Sequence, residues 1–372
     1  MTGKPRLASI IDALPSTVPF VGPEAQERQM GFSFKARIGA NENVFGPSPK
    51  AIRAMQDAVP ESWQYGDPES FDLKVALSEH HGIAPENIMV GEGIDGLLGY
   101  VARMMIEPGS PVVTSRGAYP TFNYHVAACG GNLLTVPYRQ DREDLEALIA
   151  TARSENAKLI YFANPDNPMG TWWSADELNS LISVLPDDIL LCLDEAYIEL
   201  APENTAPPVD TDRPNVLRFR TFSKAYGMAG ARVGYVMGEA QMIKNFDKIR
   251  NHFGMCRTSQ IGALAALKDQ SYLASVIHAV DQSRNRIKAI AEKFSLSAIE
   301  SAANFVAIDC GRDGNFAKSL LSELSSQGIF IRMPAIEPQN RCIRVSAGTE
   351  EDLDNFEEAL SVALTNLKYD HM

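Results

Sequence analysis

The stretch Arg220-Thr-Phe-Ser-Lys-Ala-Tyr-Gly-Met-Ala-Gly-Ala-Arg232 connects two apolar runs, residues 215–222 and 233–237. The runs are predicted strands, and the small residues between them indicate a tight loop. A lysine packed between two buried strands is poorly solvated, which lowers its pKa and makes Lys224 a nucleophilic amine. The alternative is that Lys224 is a solvated loop lysine and Arg232 an ordinary surface charge.

The same stretch suits a ligand that carries both an aldehyde and a phosphate. Lys224 can form a Schiff base with an aldehyde. Two hydroxyls and a guanidinium that suit a phosphate monoester lie close to it in sequence: Thr221, Ser223 and Arg232. Pyridoxal phosphate is such an aldehyde, so the stretch predicts a site for this cofactor.

Two other predicted strands end in the polar residues that this cofactor needs. An apolar run over residues 189–193 ends in Asp194, and a second run, residues 158–163, is followed closely by Asn167. The ring nitrogen must stay protonated, which requires a buried carboxylate, and Asp194 is the candidate. Asn167 and Tyr197 can donate hydrogen bonds to the phenolate oxygen of the ring.

The order of these motifs resembles that of fold-type I pyridoxal-phosphate aminotransferases, and most closely that of histidinol-phosphate aminotransferases. The shared motifs are Asn-Pro-x-Asn-Pro-x-Gly, Asp-Glu-Ala-Tyr, Ser-Lys-x7-Arg and Cys-Ile-Arg344-Val-Ser-Ala-Gly. The resemblance implies an aminotransferase of histidine biosynthesis, with glutamate and 2-oxoglutarate as one substrate pair and histidinol phosphate and imidazole-acetol phosphate as the other. It implies that Lys224 moves the proton, with Asp194 and Tyr197 as further catalytic residues.

The resemblance also implies a set of substrate contacts, which are Arg344, Arg332, Asn41, Asn43 and Phe20. Arg344 would hold a carboxylate, and Arg332 occupies the position of a phosphate-binding arginine. Phe20 stands where the family usually has a tyrosine whose hydroxyl lies near the substrate phosphate, so it can equally be a hydrophobic anchor. The segment Met333-Pro-Ala-Ile336 is more apolar than usual, which favours an uncharged side chain instead.

Further cofactor contacts follow from the resemblance. The backbone amides of Ile94 and Asp95 precede a predicted helix, residues 97–106, and free amides at a helix start bind anions. Tyr119 would stack on the cofactor ring, or it is a packing tyrosine at a helix start. Tyr65 would reach the cofactor phosphate of a neighbouring subunit, which implies a homodimer, or it is a core residue.

Apolar runs alternate with helical patterns through most of the chain, which predicts the α/β class. The resemblance implies an N-terminal arm, residues 1–38, that packs on the small domain and the active site. A large pyridoxal-phosphate-binding domain, residues 39–265, would contain a mostly parallel seven-stranded sheet covered by helices. A small α+β domain, residues 266–372, would follow.

Composition limits the possible partners. The net charge of −13 argues against nucleic acid and against anionic membrane surfaces. Five cysteines without Cys-x-x-Cys spacing, and the lack of a signal-peptide pattern, favour a cytoplasmic protein. We therefore expect small-molecule partners, namely amino acids and 2-oxo acids, and neither nucleic acid nor a membrane.

Three alternatives remain open from sequence. One is a broad aromatic or other amino-acid aminotransferase. Another is a pyridoxal-phosphate decarboxylase of the threonine-phosphate type, which shares these motifs and differs in the Cα bond that is aligned for cleavage. The third is a non-catalytic module that binds pyridoxal phosphate.

Overall fold

The computed structural model describes residues 5–16 and 20–369. Its strands are, in chain order, β1 Ala36–Arg37, β2 Ile88–Gly91, β3 Pro111–Ser115, β4 Asn132–Val136, β5 Leu159–Ala163, β6 Leu190–Asp194, β7 Val216–Thr221, β8 Gly234–Met237, β9 Ser297–Ala298, β10 Phe305–Asp309, β11 Ile329–Phe330 and β12 Cys342–Ser346. Its α-helices are α1 Ser9–Asp12, α2 Pro23–Met30, α3 Pro49–Ala58, α4 Phe71–His81, α5 Gly93–Met105, α6 Thr121–Ala128, α7 Leu145–Ser154, α8 Ala175–Ser183, α9 Ala240–Lys244, α10 Arg257–Leu267, α11 Gln270–Lys293, α12 Gly314–Ser326 and α13 Glu350–Tyr369.

The main sheet has the strand order β2-β8-β7-β6-β5-β3-β4. β8 is antiparallel to both of its neighbours, and the other neighbouring pairs are parallel. Side chains alternate between two buried faces: Ile160 and Phe162 pack in one core, whereas Tyr161 packs in the other. Burial on both faces is the reason that these strands read as continuous apolar runs. The mostly parallel seven-stranded sheet is confirmed.

The antiparallel sheet β12-β10-β9 has a core of its own, the second core, which differs from the two cores on the faces of the main sheet. Residues near the N-terminus join it, because β1 pairs in parallel with β11 and the Ile38 amide donates to the Phe330 carbonyl at 2.9 Å. Helix α11 packs on the core of the main sheet through Val276 and on the second core through Ile287. The division of the chain at residues 39 and 266 stays a prediction.

One predicted boundary near the site is wrong. The helix expected from residue 97 begins at Gly93, directly after β2. Gly93 has a φ of +80°, a left-handed conformation that glycine adopts without a steric penalty. The chain therefore passes from strand to helix through a single residue, Glu92. Among the described residues, no helix is both long enough and apolar enough to cross a bilayer.

Candidate active site

A cavity of about 720 Å³ lies at the edge of the main sheet where β3, β5, β6 and β7 end. The predicted residues in its lining are Phe20, Asn41, Ile94, Asp95, Tyr119, Asn167, Asp194, Tyr197, Thr221, Ser223, Lys224, Arg232, Arg332 and Arg344. Those from the main sheet converge because the carboxyl ends of parallel strands meet at one edge, where α/β sheets bind their ligands. Arg332 and Arg344 come from the region of β12, and Phe20 and Asn41 from the N-terminal part of the chain.

Lys224 lies in the connection between β7 and β8. The two strands pair antiparallel up to Thr221 and Gly234, so residues 222–233 form a closed loop. The ammonium group of Lys224 donates to the Asn41 carbonyl at 3.0 Å. Burial, together with the nearby guanidinium of Arg344, lowers the pKa of Lys224 to about 8. The predicted depression of this pKa is present in the structure.

Asp194 ends β6 with its carboxylate buried in the cavity wall. Its Oδ2 accepts a hydrogen bond from the Tyr161 hydroxyl at 2.7 Å, and its Oδ1 accepts one from the Ala196 amide at 2.9 Å. Burial raises the pKa of Asp194 to about 6, while these hydrogen bonds and the cation of Lys224 oppose the rise. Two donors thus orient the carboxylate.

Asn167, Arg344, Tyr197 and Asn41 form a polar cluster in the cavity lining. An Arg344 guanidinium nitrogen donates to Asn167 Oδ1, which leaves the Asn167 amide nitrogen as a donor. The Asn41 amide donates to the Tyr197 hydroxyl at 3.1 Å. Burial lowers the pKa of Arg344 to about 10, because its charged form is desolvated. A carboxylate would compensate this buried cation bidentately.

The start of α5 and Arg232 together form an anion cradle. A Cβ atom on Gly93 would lie 2.6 Å from Arg232 Nη2, so the guanidinium rests directly against the helix start. The Thr221 hydroxyl donates to Ser223 Oγ at 2.9 Å, and Arg232 Nη1 is 3.5 Å from the same oxygen. Free helix amides, two hydroxyls and a guanidinium in one place suit a phosphate.

Phe20, Tyr119 and Arg332 line one wall of the cavity. The rings of Phe20 and Tyr119 stack with centroids 6.4 Å apart and an interplanar angle of 20°. The Arg332 Cζ lies 5.7 Å from the Phe20 centroid, and its Nη2 donates to the Val21 carbonyl at 2.9 Å. Burial lowers the pKa of Arg332. The N-terminal segment is therefore fastened to the cavity wall by this arginine.

Two predicted residues lie outside the cavity lining. The Asn43 side-chain amide donates to the backbone carbonyls of Lys224 and Ala225 at 3.0 and 3.1 Å, so it holds the backbone of the lysine loop in place. Tyr65 is 77% exposed, with its ring 4.8 Å from that of Phe253. Its predicted contact with a cofactor in another subunit stays a prediction.

The sequence did not single out three residues of the site. Tyr161 contacts Asp194, and Glu42 and Arg116 line the cavity. A tyrosine inside an aliphatic strand was the available signal, because a buried hydroxyl requires a hydrogen-bond partner. Arg116 follows the end of β3, the same kind of position that identified Asp194.

The model of the aminotransferase class I and II family matches residues 35–360. The chain belongs to this family. It is 51% identical to a histidinol-phosphate aminotransferase from Sinorhizobium meliloti, whose crystal structure with pyridoxal-5'-phosphate superposes with a TM-score of 0.96 over 98% of this chain and 99% of that one. The histidinol-phosphate aminotransferase of Moorella thermoacetica is 30% identical over 360 residues, 96% of this chain and 92% of the relative. Histidinol-phosphate aminotransferase 2 of Pseudomonas aeruginosa is 33% identical over 362 residues, 96% of this chain and 97% of the relative.

The chain is thus a pyridoxal-phosphate-dependent aminotransferase, as predicted. The geometry fits this cofactor, because the anion cradle at Gly93 and the buried Asp194 lie in the same cavity as Lys224. The buried Arg344 has a side-chain Nε without a hydrogen-bond partner among the described residues, consistent with a site built for an anion. The comparisons favour an aminotransferase over the decarboxylase and the non-catalytic module.

Proposed function

We propose that this aminotransferase transfers an amino group between histidinol phosphate and 2-oxoglutarate, giving imidazole-acetol phosphate and glutamate. The observation that carries this proposal is the pairing of Arg332 with Arg344. The Arg344 amide donates to the Arg332 carbonyl at 2.6 Å, and the Arg332 amide donates to the Arg344 carbonyl at 3.3 Å. Directly opposed residues of an antiparallel bridge present their side chains on the same face. Both guanidinium groups line the cavity.

The side-by-side guanidinium groups of Arg332 and Arg344 suit the two anionic groups of the two amino donors. In glutamate the reacting Cα carries a carboxylate, whereas in histidinol phosphate it carries a CH2–O–phosphate group. The phosphorus is therefore two bonds farther from Cα than the carboxylate carbon. A carboxylate held by Arg344 and a phosphate that extends to Arg332 satisfy both substrates in one cavity. Arg116 adds a further positive charge to the lining.

We assign the proton transfers to Lys224. When bound, pyridoxal phosphate supplies an electrophilic carbon and a ring that accepts the electron pair released at the substrate Cα. With its pKa lowered to about 8, the amine of Lys224 can take the Cα proton as a base and return it as an acid. Asp194 would hold the ring nitrogen in its protonated form.

The remaining residues position the reactants. We assign the cofactor phosphate to the hydroxyls and guanidinium of the anion cradle and to the helix amides, which are Thr221, Ser223, Arg232, Ile94 and Asp95. Asn167 and Tyr197 would donate to the phenolate oxygen, and Tyr119 would stack on the ring. Arg344 holds the substrate carboxylate, and Asn41 orients Tyr197 through their 3.1 Å hydrogen bond.

We also propose a cytoplasmic homodimer in which Tyr65 completes the cofactor site of the partner. Tyr65 and several large apolar residues near it in sequence are exposed, namely Val59, Trp63 and Phe71. Phe253, whose ring contacts that of Tyr65, is exposed as well. Exposed apolar groups of this size are typical of an interaction surface. Free cysteines suit a reducing compartment. A monomer mass in light scattering, at a concentration at which the enzyme is fully active, would contradict the dimer.

The experiment that tests the substrate compares kcat/KM for histidinol phosphate with kcat/KM for phenylalanine, in the parent and in Arg332→Ala. We expect a ratio far above one in the parent, and a loss of about 10- to 100-fold in the variant, because a hydrogen bond to a charged group contributes about 1.5–3 kcal/mol. Arg312→Ala is a matched control, since Arg312 packs over Phe316 in the second core and away from the cavity.

The second candidate is a broad aromatic aminotransferase. It is favoured by Phe20, which lacks a hydroxyl, and by the apolar segment 333–336 in the cavity lining. A parent ratio below one that Arg332→Ala leaves unchanged would establish this candidate and reject the phosphate substrate.

A further inference from the structure

Tyr161 has a contact with the active site that the proposed mechanism has not used. Its ring is fully buried and stacks on Phe122, with centroids 4.8 Å apart and an interplanar angle of 16°. Its hydroxyl donates to Asp194 Oδ2 at 2.7 Å, shorter than the 2.9 Å between the Ala196 amide and Oδ1. The stacked ring leaves the hydroxyl little freedom to point elsewhere.

The register of the sheet imposes this contact. Tyr161 of β5 lies opposite Cys192 of β6, and Ala163 lies opposite Asp194. Side chains two positions apart along a strand share a face, so Tyr161 and Asp194 are diagonal neighbours on one face of the sheet. The other residues of β5 are Leu, Ile, Phe and Ala, so the hydroxyl is the polar side-chain group that this strand brings to the carboxylate.

We propose that Tyr161 is a positioning residue that keeps the Asp194 carboxylate ionised and directed at the ring nitrogen of the cofactor. This inference rests on the role proposed above for Asp194. A carboxylate in an apolar wall tends to take up a proton, and a hydrogen bond to its charged form opposes that tendency. If Asp194 kept the proton itself, the ring would be neutral and would accept electrons less well.

The environment of Asp194 contains other groups that could act on it. Asp194 interacts electrostatically with six other titratable groups, which are Lys224, Glu195, Glu143, Cys192, Tyr119 and Tyr197. Among the described residues, Tyr161 is the side chain that donates a hydrogen bond to the Asp194 carboxylate, and the second donor, Ala196, is a backbone amide. A side-chain substitution at position 161 therefore removes this support selectively.

The test is Tyr161→Phe, which removes the hydroxyl and keeps the ring on Phe122. We expect the dissociation constant of pyridoxal phosphate, measured by titrating cofactor-free protein, to rise about 10-fold or more. We also expect the 15N NMR signal of the ring nitrogen in labelled cofactor to move toward that of a neutral pyridine. A purely structural role would not produce this movement.

Tyr235→Phe is the matched control. Tyr235 is a buried tyrosine of the same sheet whose hydroxyl is 2.9 Å from His81 Nε2. Its substitution should leave the 15N signal in place. An unchanged 15N signal in Tyr161→Phe, or an equal movement in both variants, would overturn the inference.

Asp194→Asn separates the inference from the function on which it rests. In that background Tyr161→Phe should change cofactor affinity by less than about 2-fold, because the carboxylate through which Tyr161 acts is gone. Wild-type affinity in Asp194→Asn would reject the role of Asp194 itself. A weakened Asp194→Asn together with an unaffected Tyr161→Phe would reject the role of Tyr161 alone. If Tyr161→Phe folds poorly, the 15N signal of its cofactor-bound fraction still decides, because that signal comes from folded protein alone.

Discussion

Restoring a hydroxyl at position 20 should increase the preference of this enzyme for a phosphorylated substrate. The Phe20 ring lies between Tyr119, at 6.4 Å, and the Arg332 guanidinium, at 5.7 Å. It lines the cavity and is 40% exposed, so we expect the ring to accommodate one more oxygen. In Phe20→Tyr the new hydroxyl can donate to the phosphate that Arg332 binds, and the ring keeps its contact with the cation.

The magnitude follows from the charge of the acceptor. A hydrogen bond to a charged group contributes about 1.5–3 kcal/mol, and each 1.4 kcal/mol is a factor of about ten. We expect kcat/KM for histidinol phosphate to rise about 10- to 100-fold in Phe20→Tyr, with little change for phenylalanine. The assay is steady-state kinetics with both donors at one fixed concentration of 2-oxoglutarate.

Phe20→Leu is the control for Phe20→Tyr, because it removes the ring without adding a donor. It should give no gain with either substrate. The reasoning is refuted if Phe20→Tyr leaves the ratio of the two kcat/KM values unchanged, or if both values rise by the same factor. In either case the hydroxyl does not meet the phosphate.

Two further predictions concern the lysine loop. Gly227 has a φ of +68°, and a Cβ there would lie 2.3 Å from the Gly46 carbonyl, so Gly227→Ala should lower the free energy of unfolding by at least about 1–3 kcal/mol. Gly230→Ala is the control: the new atom has open space around it, so the free energy of unfolding should change by less than about 0.5 kcal/mol. Urea unfolding of both variants measures these changes, and equal effects would contradict the prediction. Burial lowers the pKa of Lys224 from 10.5 to about 8, so the folded cofactor-free protein binds fewer protons than the unfolded chain between these values and should gain stability as the pH rises through that window. Lys224→Met should remove this gain, and an identical pH dependence in parent and variant would show that another group is responsible.

Much of the site could be predicted because its chemistry lies at the ends of apolar runs. Lys224, Asp194 and Asn167 each follow a predicted strand, and parallel strands bring such positions together without any knowledge of side-chain packing. Gly93 shows the limit of this reasoning. The pattern of residues 91–96 indicates a glycine loop before a helix, but the left-handed glycine that starts the helix at once depends on a single backbone angle.

The hydrogen-bond partners of Tyr161 and Asn43 could not be predicted, for a different reason. The position of Tyr161 in an apolar run indicates a core residue, and its partner is decided by the register of β5 against β6, which the sequence does not specify on its own. Asn43 bonds to backbone atoms 181 and 182 residues away, a distance at which no local pattern is informative. Contacts between distant segments are thus where sequence reasoning fails here.

The antiparallel pairing of β7 with β8 has a consequence for the order in which the site assembles. The amine of Lys224 and the guanidinium of Arg232 lie in one short loop, and closing a short loop costs little chain entropy. Arg344, in contrast, meets Asn167 across 177 residues and must wait for the C-terminal sheet to dock. A refolding chain should therefore bring Lys224 and Arg232 together before Arg344 reaches Asn167.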